Sequence, residues 1–154
     1  RCLKGTRIKT LEHLNSWIGC PDGIGRVLWC HGLAGTGKSS LAGTLHDNIV
    51  NFDPTQEVSQ SHSQTRLGAF IRYDRNTVKS SVSHLIPAIA SSLGQRDERI
   101  GSAIAKVVND YGPDIGNVSA EDQYKSLLHK PLATMSELVN EGPFVIIIDG
   151  LDEC

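Results

Sequence analysis

Val27-Leu28-Trp29-Cys30-His31-Gly32-Leu33-Ala34-Gly35-Thr36-Gly37-Lys38-Ser39 is the stretch on which the reading of this chain turns. Its last eight residues fit the Walker A pattern G-x-x-x-x-G-K-[S/T], the signature of a phosphate-binding P-loop. A triphosphate presents many oxygens and needs many donors converging on them. Backbone N–H groups of Ala34 to Ser39 supply them if the chain curls into a nest. Gly35 and Gly37 permit the backbone angles of that curl and remove side chains that would block close approach. A helix starting near Lys38 turns the positive end of its dipole toward the phosphates. The Lys38 ammonium then reaches the β- and γ-phosphates, and the Ser39 hydroxyl suits Mg²⁺. The expected nucleotide-binding set is Gly32, Ala34, Gly35, Thr36, Gly37, Lys38, Ser39 and Ser40.

The flanks agree with this expectation. Val27–Cys30 is apolar at every position, as in a parallel strand covered on both faces. Cys30 in such a strand acts as a small buried hydrophobe. The residues from about Ser39 to Phe52 predict a helix.

Far along the chain, Phe144-Val145-Ile146-Ile147-Ile148-Asp149 has the form of a Walker B strand. A carboxylate at the end of a buried strand is placed to hold the Mg²⁺ shell, so Asp149 joins Ser39 as an expected metal residue. Asp152 and Glu153 follow closely, and either can orient or polarise an attacking water. The alternative is a solvated acidic turn.

Between these motifs the pattern alternates. Arg7 to Ile18 carries Ile8, Leu11, Leu14 and Ile18 at helical spacing, with Thr6 as the expected N-cap. Cys20 to Gly25 reads as a turn and Asp53 to Thr65 as a polar loop. Leu67 to Tyr73 predicts a second strand. Val82 to Leu93 and Arg99 to Val108 predict helices. Gly112, Pro113 and Gly116 break the pattern. Ser119 with Asp122 resembles a capping box that opens a further helix. Strands alternating with helices predict an α/β class with a parallel sheet.

Bulk properties exclude several classes. The chain has 154 residues, 39% apolar and 21% charged, with a net charge of −2. That is one domain's length with enough apolar residues for a core. No basic stripe argues for nucleic acid or a membrane surface. The apolar run at Phe144–Ile148 is far short of the roughly 20 residues that span a bilayer. The four cysteines, Cys2, Cys20, Cys30 and Cys154, lack paired metal spacing, which fits a reduced, cytoplasmic protein better than a disulfide scaffold. The six histidines form no metal pattern. A GTPase favours D-x-x-G after its Walker B strand, and here that spacing holds Asp152. A transporter ATPase needs L-S-G-G-Q before Walker B, and none is present.

Taken together, these motifs resemble a known family. Asp149-Gly150-Leu151-Asp152-Glu153 resembles the D-[small]-x-D-E form of the NACHT NTPases, a branch of the STAND class related to AAA+ proteins. Gly5-Thr6-Arg7, a helix to Trp17, and the loop through Ser39 are similar to fungal NOD-like receptor proteins and their nephrocystin-like relatives. Leu67 to Arg75 resembles their second strand, though less aromatic, and Gln123-Tyr124 with Pro131-Leu132 resembles their Q-F…P-L segment.

The resemblance implies a three-layer, AAA-related P-loop NTPase fold. Residues 1–25 would be an N-terminal helix and lead-in, and residues 26–154 the N-terminal half of a NACHT domain ending after Walker B. It implies ATP or ADP with Mg²⁺, nucleotide exchange that controls self-association, and slow hydrolysis. Thr6 and Arg7 would lie near the adenine or ribose, and Arg75 would approach the γ-phosphate. The family's central strand would fall after Cys154, so Val27–Cys30 and Phe144–Ile148 would face each other across a slot or collapse together. An isolated chain of that kind is expected to be poorly soluble or molten. A P-loop phosphotransferase, or a degenerate scaffold without turnover, stays open beside the switch ATPase.

Overall fold

Two strands that are distant in sequence organise the fold. The computed structural model describes residues 1–3, 5–20, 26–51, 65–74 and 82–153, without the side chains of Pro113 and Glu153. The expected turn at 21–25, most of the polar loop at 53–65, Arg75 and Cys154 lie outside the described residues. Helix α1 spans Ile8–Ile18 and α2 spans Lys38–Val50. Strand β1, Arg66–Arg72, precedes α3, Leu85–Arg96, and α4, Glu98–Tyr111. A short helix α5, Ala120–Gln123, runs through a π-helical stretch, Tyr124–His129, into α6, Lys130–Ala133. Pro131 has no N–H to donate to the preceding turn and its ring crowds that turn's carbonyl, which accounts for the widening there. Strand β2 is Phe144–Asp149.

β1 and β2 pair in parallel, from Arg66 opposite Phe144 to Arg72 opposite Asp149. The molecule is therefore a mixed helix and sheet module with a small parallel pair. Gly68 is an extra residue in this pairing, since Leu67 faces Val145 and Ala69 faces Ile146. A Cβ at Gly68 would sit 3.1 Å from Leu93 Cδ2 and 3.2 Å from Phe144 Cβ, and its carbonyl accepts from Ser92 Oγ at 2.9 Å. The bulge thus lies tight against α3.

Helices pack on both faces of the pair, but β2 is not the fully buried strand expected, since Ile146 and Ile148 stay exposed. On one face Ala69, Ile71 and Phe144 pack with Ile89, Ala90, Leu93 and Ile100 of α3 and α4. On the other, Leu67, Phe70, Val145 and Ile147 pack with Leu14 and Ile18 of α1 and Leu41 and Leu45 of α2. α3 and α4 meet at glycines, where a Cβ on Gly101 would fall 2.6 Å from the Gly94 carbonyl oxygen.

Two expectations fail here. Val27–Cys30 forms no strand, and the pairing among the described residues is β1 with β2 alone. Val27 is 84% exposed and Trp29 68% exposed. Cys30 is exposed as well, so it is not a buried hydrophobe. Apolar composition makes a strand only where a neighbour's backbone bonds it, and among the described residues none pairs with Val27–Cys30, although β1 and β2 each keep a free edge. Nor is Thr6 the cap of α1. Arg7 holds that position with φ 59°, and the Thr6 hydroxyl donates to Leu3 O at 2.6 Å.

The capping box is as expected, with Ser119 Oγ accepting from Asp122 N at 3.1 Å. A second cap opens α4, where Asp97 accepts from Arg99 N at 3.0 Å. The Arg99 guanidinium also grips Asp97 and Glu141. Its hydrogen bond holds the Asp97 carboxyl down at about 2. A carboxylate whose value falls on folding adds stability that is whole above its ordinary value of 3.8 and lost as pH falls toward 2. Asp97→Asn keeps a capping oxygen and removes the charge, so its thermal midpoint should fall less than the wild type's between pH 5 and pH 2. Parallel pH profiles for the two proteins would show that this contact carries none of the acid sensitivity.

Candidate functional site

The glycine-rich loop meets the end of β2, and that junction is where the chain's chemistry gathers. Gly35 and Gly37 take φ of 76° and 87°, which side chains rarely tolerate, and the helix begins at Lys38. Helix geometry leaves the first N–H groups of α2 without intrahelical acceptors. The loop is held from within. Thr36 Oγ1 donates to Leu33 O at 2.8 Å, and Lys38 Nζ donates to Gly32 O at 2.8 Å and Leu33 O at 3.1 Å. Gly32, Ala34 and Thr36 are exposed along the curl, and Ser40 is half-buried in the first turn of α2.

Ser39 Oγ donates to Asp149 Oδ1 at 2.9 Å, across 110 residues of chain. Asp149 is 7% exposed. The two residues expected on a metal are thus in contact, one at the start of a helix and one at the end of a strand. Arg72, opposite Asp149 on β1, places Nε 3.4 Å from Asp149 Oδ2. The resemblance of Leu67 to Arg75 to a second strand takes in Arg72 but gives it no role. Its signal lies in the register of β1 against β2, which a single chain does not display.

Gly150 follows with φ 74° and lies so close to Tyr73 that a Cβ would fall 2.6 Å from its carbonyl oxygen. Leu151–Glu153 then turns as a single 3-10 helix. Asp152 is exposed on that turn. The Glu153 side chain lies outside the description.

Arg7 reaches the loop and Thr6 does not. From the cap position of α1, the Arg7 guanidinium donates to Thr36 O. Beside it a cavity of about 290 Å³ is lined by Arg7, Trp29, His31, Thr36, Lys38 and Leu41, among others. A larger cavity, about 340 Å³, lies at the opposite end of the strands among Ile49, Leu67 and Phe144. It touches none of the loop, and its size alone gives it no chemistry.

Hard oxygen donors at Ser39 and Asp149 fit Mg²⁺, which binds through one or two protein oxygens and completes its shell with phosphates and water. Among the described residues no cluster of three His, Cys, Asp or Glu side chains could hold a metal by itself. No described helix is long and apolar enough to cross a membrane.

A mixed α/β module with a glycine-rich loop at a helix N-terminus and a strand-end aspartate against it defines the class. Within that class the chain belongs to the nephrocystin 3, N-terminal family, whose model matches residues 5–154. No curated protein and no solved structure matches it.

Proposed function

We propose that this module binds ATP or ADP with Mg²⁺ as the nucleotide-binding part of a NACHT-type switch. In this reading the fold is part of a three-layer P-loop NTPase, exchange of nucleotide governs self-association, and slow hydrolysis resets the state. The observation that carries the reading is the 2.9 Å hydrogen bond between Ser39 and Asp149. A loop that matched Walker A by chance would have no reason to meet the one strand-end aspartate that matches Walker B.

The chain's own residues divide the work. The curl from Gly32 to Ser40 directs backbone N–H groups at the phosphates, with the dipole of α2 behind them. Lys38 turns its ammonium from the loop carbonyls to the phosphate oxygens. Ser39 and Asp149 offer oxygens to the metal, which when bound supplies positive charge that offsets the charge on the phosphoryl group. Arg7 braces the loop through the Thr36 carbonyl and borders the cavity beside it, where the adenosine would lie. The Thr6 hydroxyl donates to Leu3 O and keeps its lone pairs for a ribose or adenine donor. Asp152, exposed one turn past Asp149, and Glu153 are the groups assigned to water.

Asp149→Asn should raise the Kd for ATP by roughly 10- to 100-fold with Mg²⁺ present, the usual scale for disturbing a metal's partners. With EDTA in place of Mg²⁺ the two proteins should bind alike. Calorimetry under both conditions checks this. An equal loss in both would mean that Asp149 supports the fold and not the metal. Binding by neither protein under either condition would favour the degenerate scaffold.

A further inference from the structure

Asp149 lies buried with both carboxylate oxygens engaged. Oδ1 takes the Ser39 hydroxyl at 2.9 Å, and Oδ2 faces Arg72 Nε at 3.4 Å. A carboxylate removed from water needs a compensating positive charge. Lys38 does not provide it, because its ammonium rests on the Gly32 and Leu33 carbonyls. Among the described residues Arg72 is the cation within ion-pair distance of Asp149.

The pairing is a product of the fold's register. The extra residue at Gly68 moves each later residue of β1 back by one position along β2, which sets Arg72 opposite Asp149. In an unbulged ladder Ile71 would take that place. Parallel partners point to the same face, so Arg72 shares with Asp149 the face that carries α2 and the loop. Its side chain is 63% exposed, so the guanidinium has open space into which to withdraw.

We propose that Arg72 is a built-in counter-ion for Asp149 which a divalent cation must displace, so that metal enters this site together with a triphosphate rather than alone. The inference rests on the nucleotide-binding reading of the loop and adds to it a control on metal entry. The physics is competition for one carboxylate. A cation approaching Asp149 by itself meets the guanidinium and gains little. Phosphate oxygens arriving on the loop add negative charge, which favours the divalent ion and offers the released guanidinium a new partner. Arg72 acts through Asp149 and is a positioning residue.

The test uses Mn²⁺, an oxygen-seeking ion of the same preference as Mg²⁺, followed by its electron paramagnetic resonance on the full chain. In Arg72→Gln, the Mn²⁺ concentration that half-saturates the site should fall about 2- to 5-fold, the range set by an exposed ion pair. The fall should be seen without nucleotide and, to a smaller extent, with ATP present. Arg72→Lys should stay within about twofold of wild type. Thermal melts add a second readout, in which Arg72→Gln loses stability in the metal-free protein and recovers most of it with Mn²⁺ and ATP. A half-saturation point that is unchanged or higher in Arg72→Gln overturns the proposal, as does a stability loss of the same size in both states. Wild-type ATP binding, measured against Lys38→Ala, reports separately on the loop. If wild type binds ATP with Mn²⁺ and Arg72→Gln shows no shift, the counter-ion idea alone fails. If wild type binds no ATP, the nucleotide reading fails and the proposal with it.

Discussion

Lys38→Ala is expected to weaken Mg²⁺–ATP binding by about 100-fold, equivalent to ~2.7 kcal/mol. The ammonium is the only fixed charge the loop carries between Gly32 and Ser40. Charge-assisted hydrogen bonds of this kind are roughly twice as strong as neutral ones. The substitution also has a structural consequence. Lys38 Nζ bonds the carbonyls of Gly32 and Leu33, so the lysine ties the start of the loop to the start of α2. These contacts are exposed, so the ligand-free melting point should drop only slightly. Lys38→Arg separates the two effects, because it keeps the charge but replaces a compact ammonium with a planar fork. Calorimetry on the three proteins decides the matter. An alanine variant within threefold of wild-type affinity would remove Lys38 from the binding site.

Gly150→Ala should cost about 2–4 kcal/mol of stability. Two terms contribute. The residue sits at φ 74°, where a side chain meets its own backbone. Its added Cβ would also fall 2.6 Å from the Tyr73 carbonyl oxygen and 3.4 Å from the Tyr73 carbonyl carbon, both on backbone that cannot swing aside. Tyr73 N donates to Asp149 O at 2.9 Å, so relief of the clash pries the ends of β1 and β2 apart. A domain of this size melts lower by roughly 2–4 °C per kcal/mol, so a fall near 10 °C is expected by calorimetry. A midpoint within 2 °C of wild type would show that the close approach yields easily. Because Asp149 precedes the affected residue, the variant should also bind Mg²⁺–ATP more weakly than its loss of stability alone explains.

The elements that could be read from the sequence are those whose signal is local. Leu85, Ile89 and Leu93 recur at helical spacing and lie in α3. Ser119 and Asp122 are three apart and cap a helix through their own atoms. Gly35 and Gly37 take the positive φ that the motif requires. The features missed depend on what lies alongside. Val27–Cys30 has the composition of a buried strand, but a strand is completed by a neighbour's hydrogen bonds, and none pairs with it among the described residues. Thr6 and Arg7 are adjacent, and capping statistics favour threonine. The tertiary contact from Arg7 to Thr36 and the Thr6 bond to Leu3 reverse their parts. At the candidate site, motif spacing pointed to Ser39, Lys38 and Asp149, and the structure brings Ser39 and Asp149 into contact. The pairing of Arg72 with Asp149 was not legible, because a single glycine out of step, Gly68, decides which residue stands opposite the aspartate.

Trp29 gives this arrangement an optical consequence. The chain has two tryptophans. Trp17 is half-buried against the α1–α2 cluster, and Trp29 stands in solvent on the rim of the cavity that Lys38 also lines. Indoles in such unlike surroundings emit at different wavelengths, the buried one toward the blue and the wetted one toward the red. Trp17 emission should therefore follow the docking of α1 on α2, and Trp29 emission any change in the cavity beside the loop.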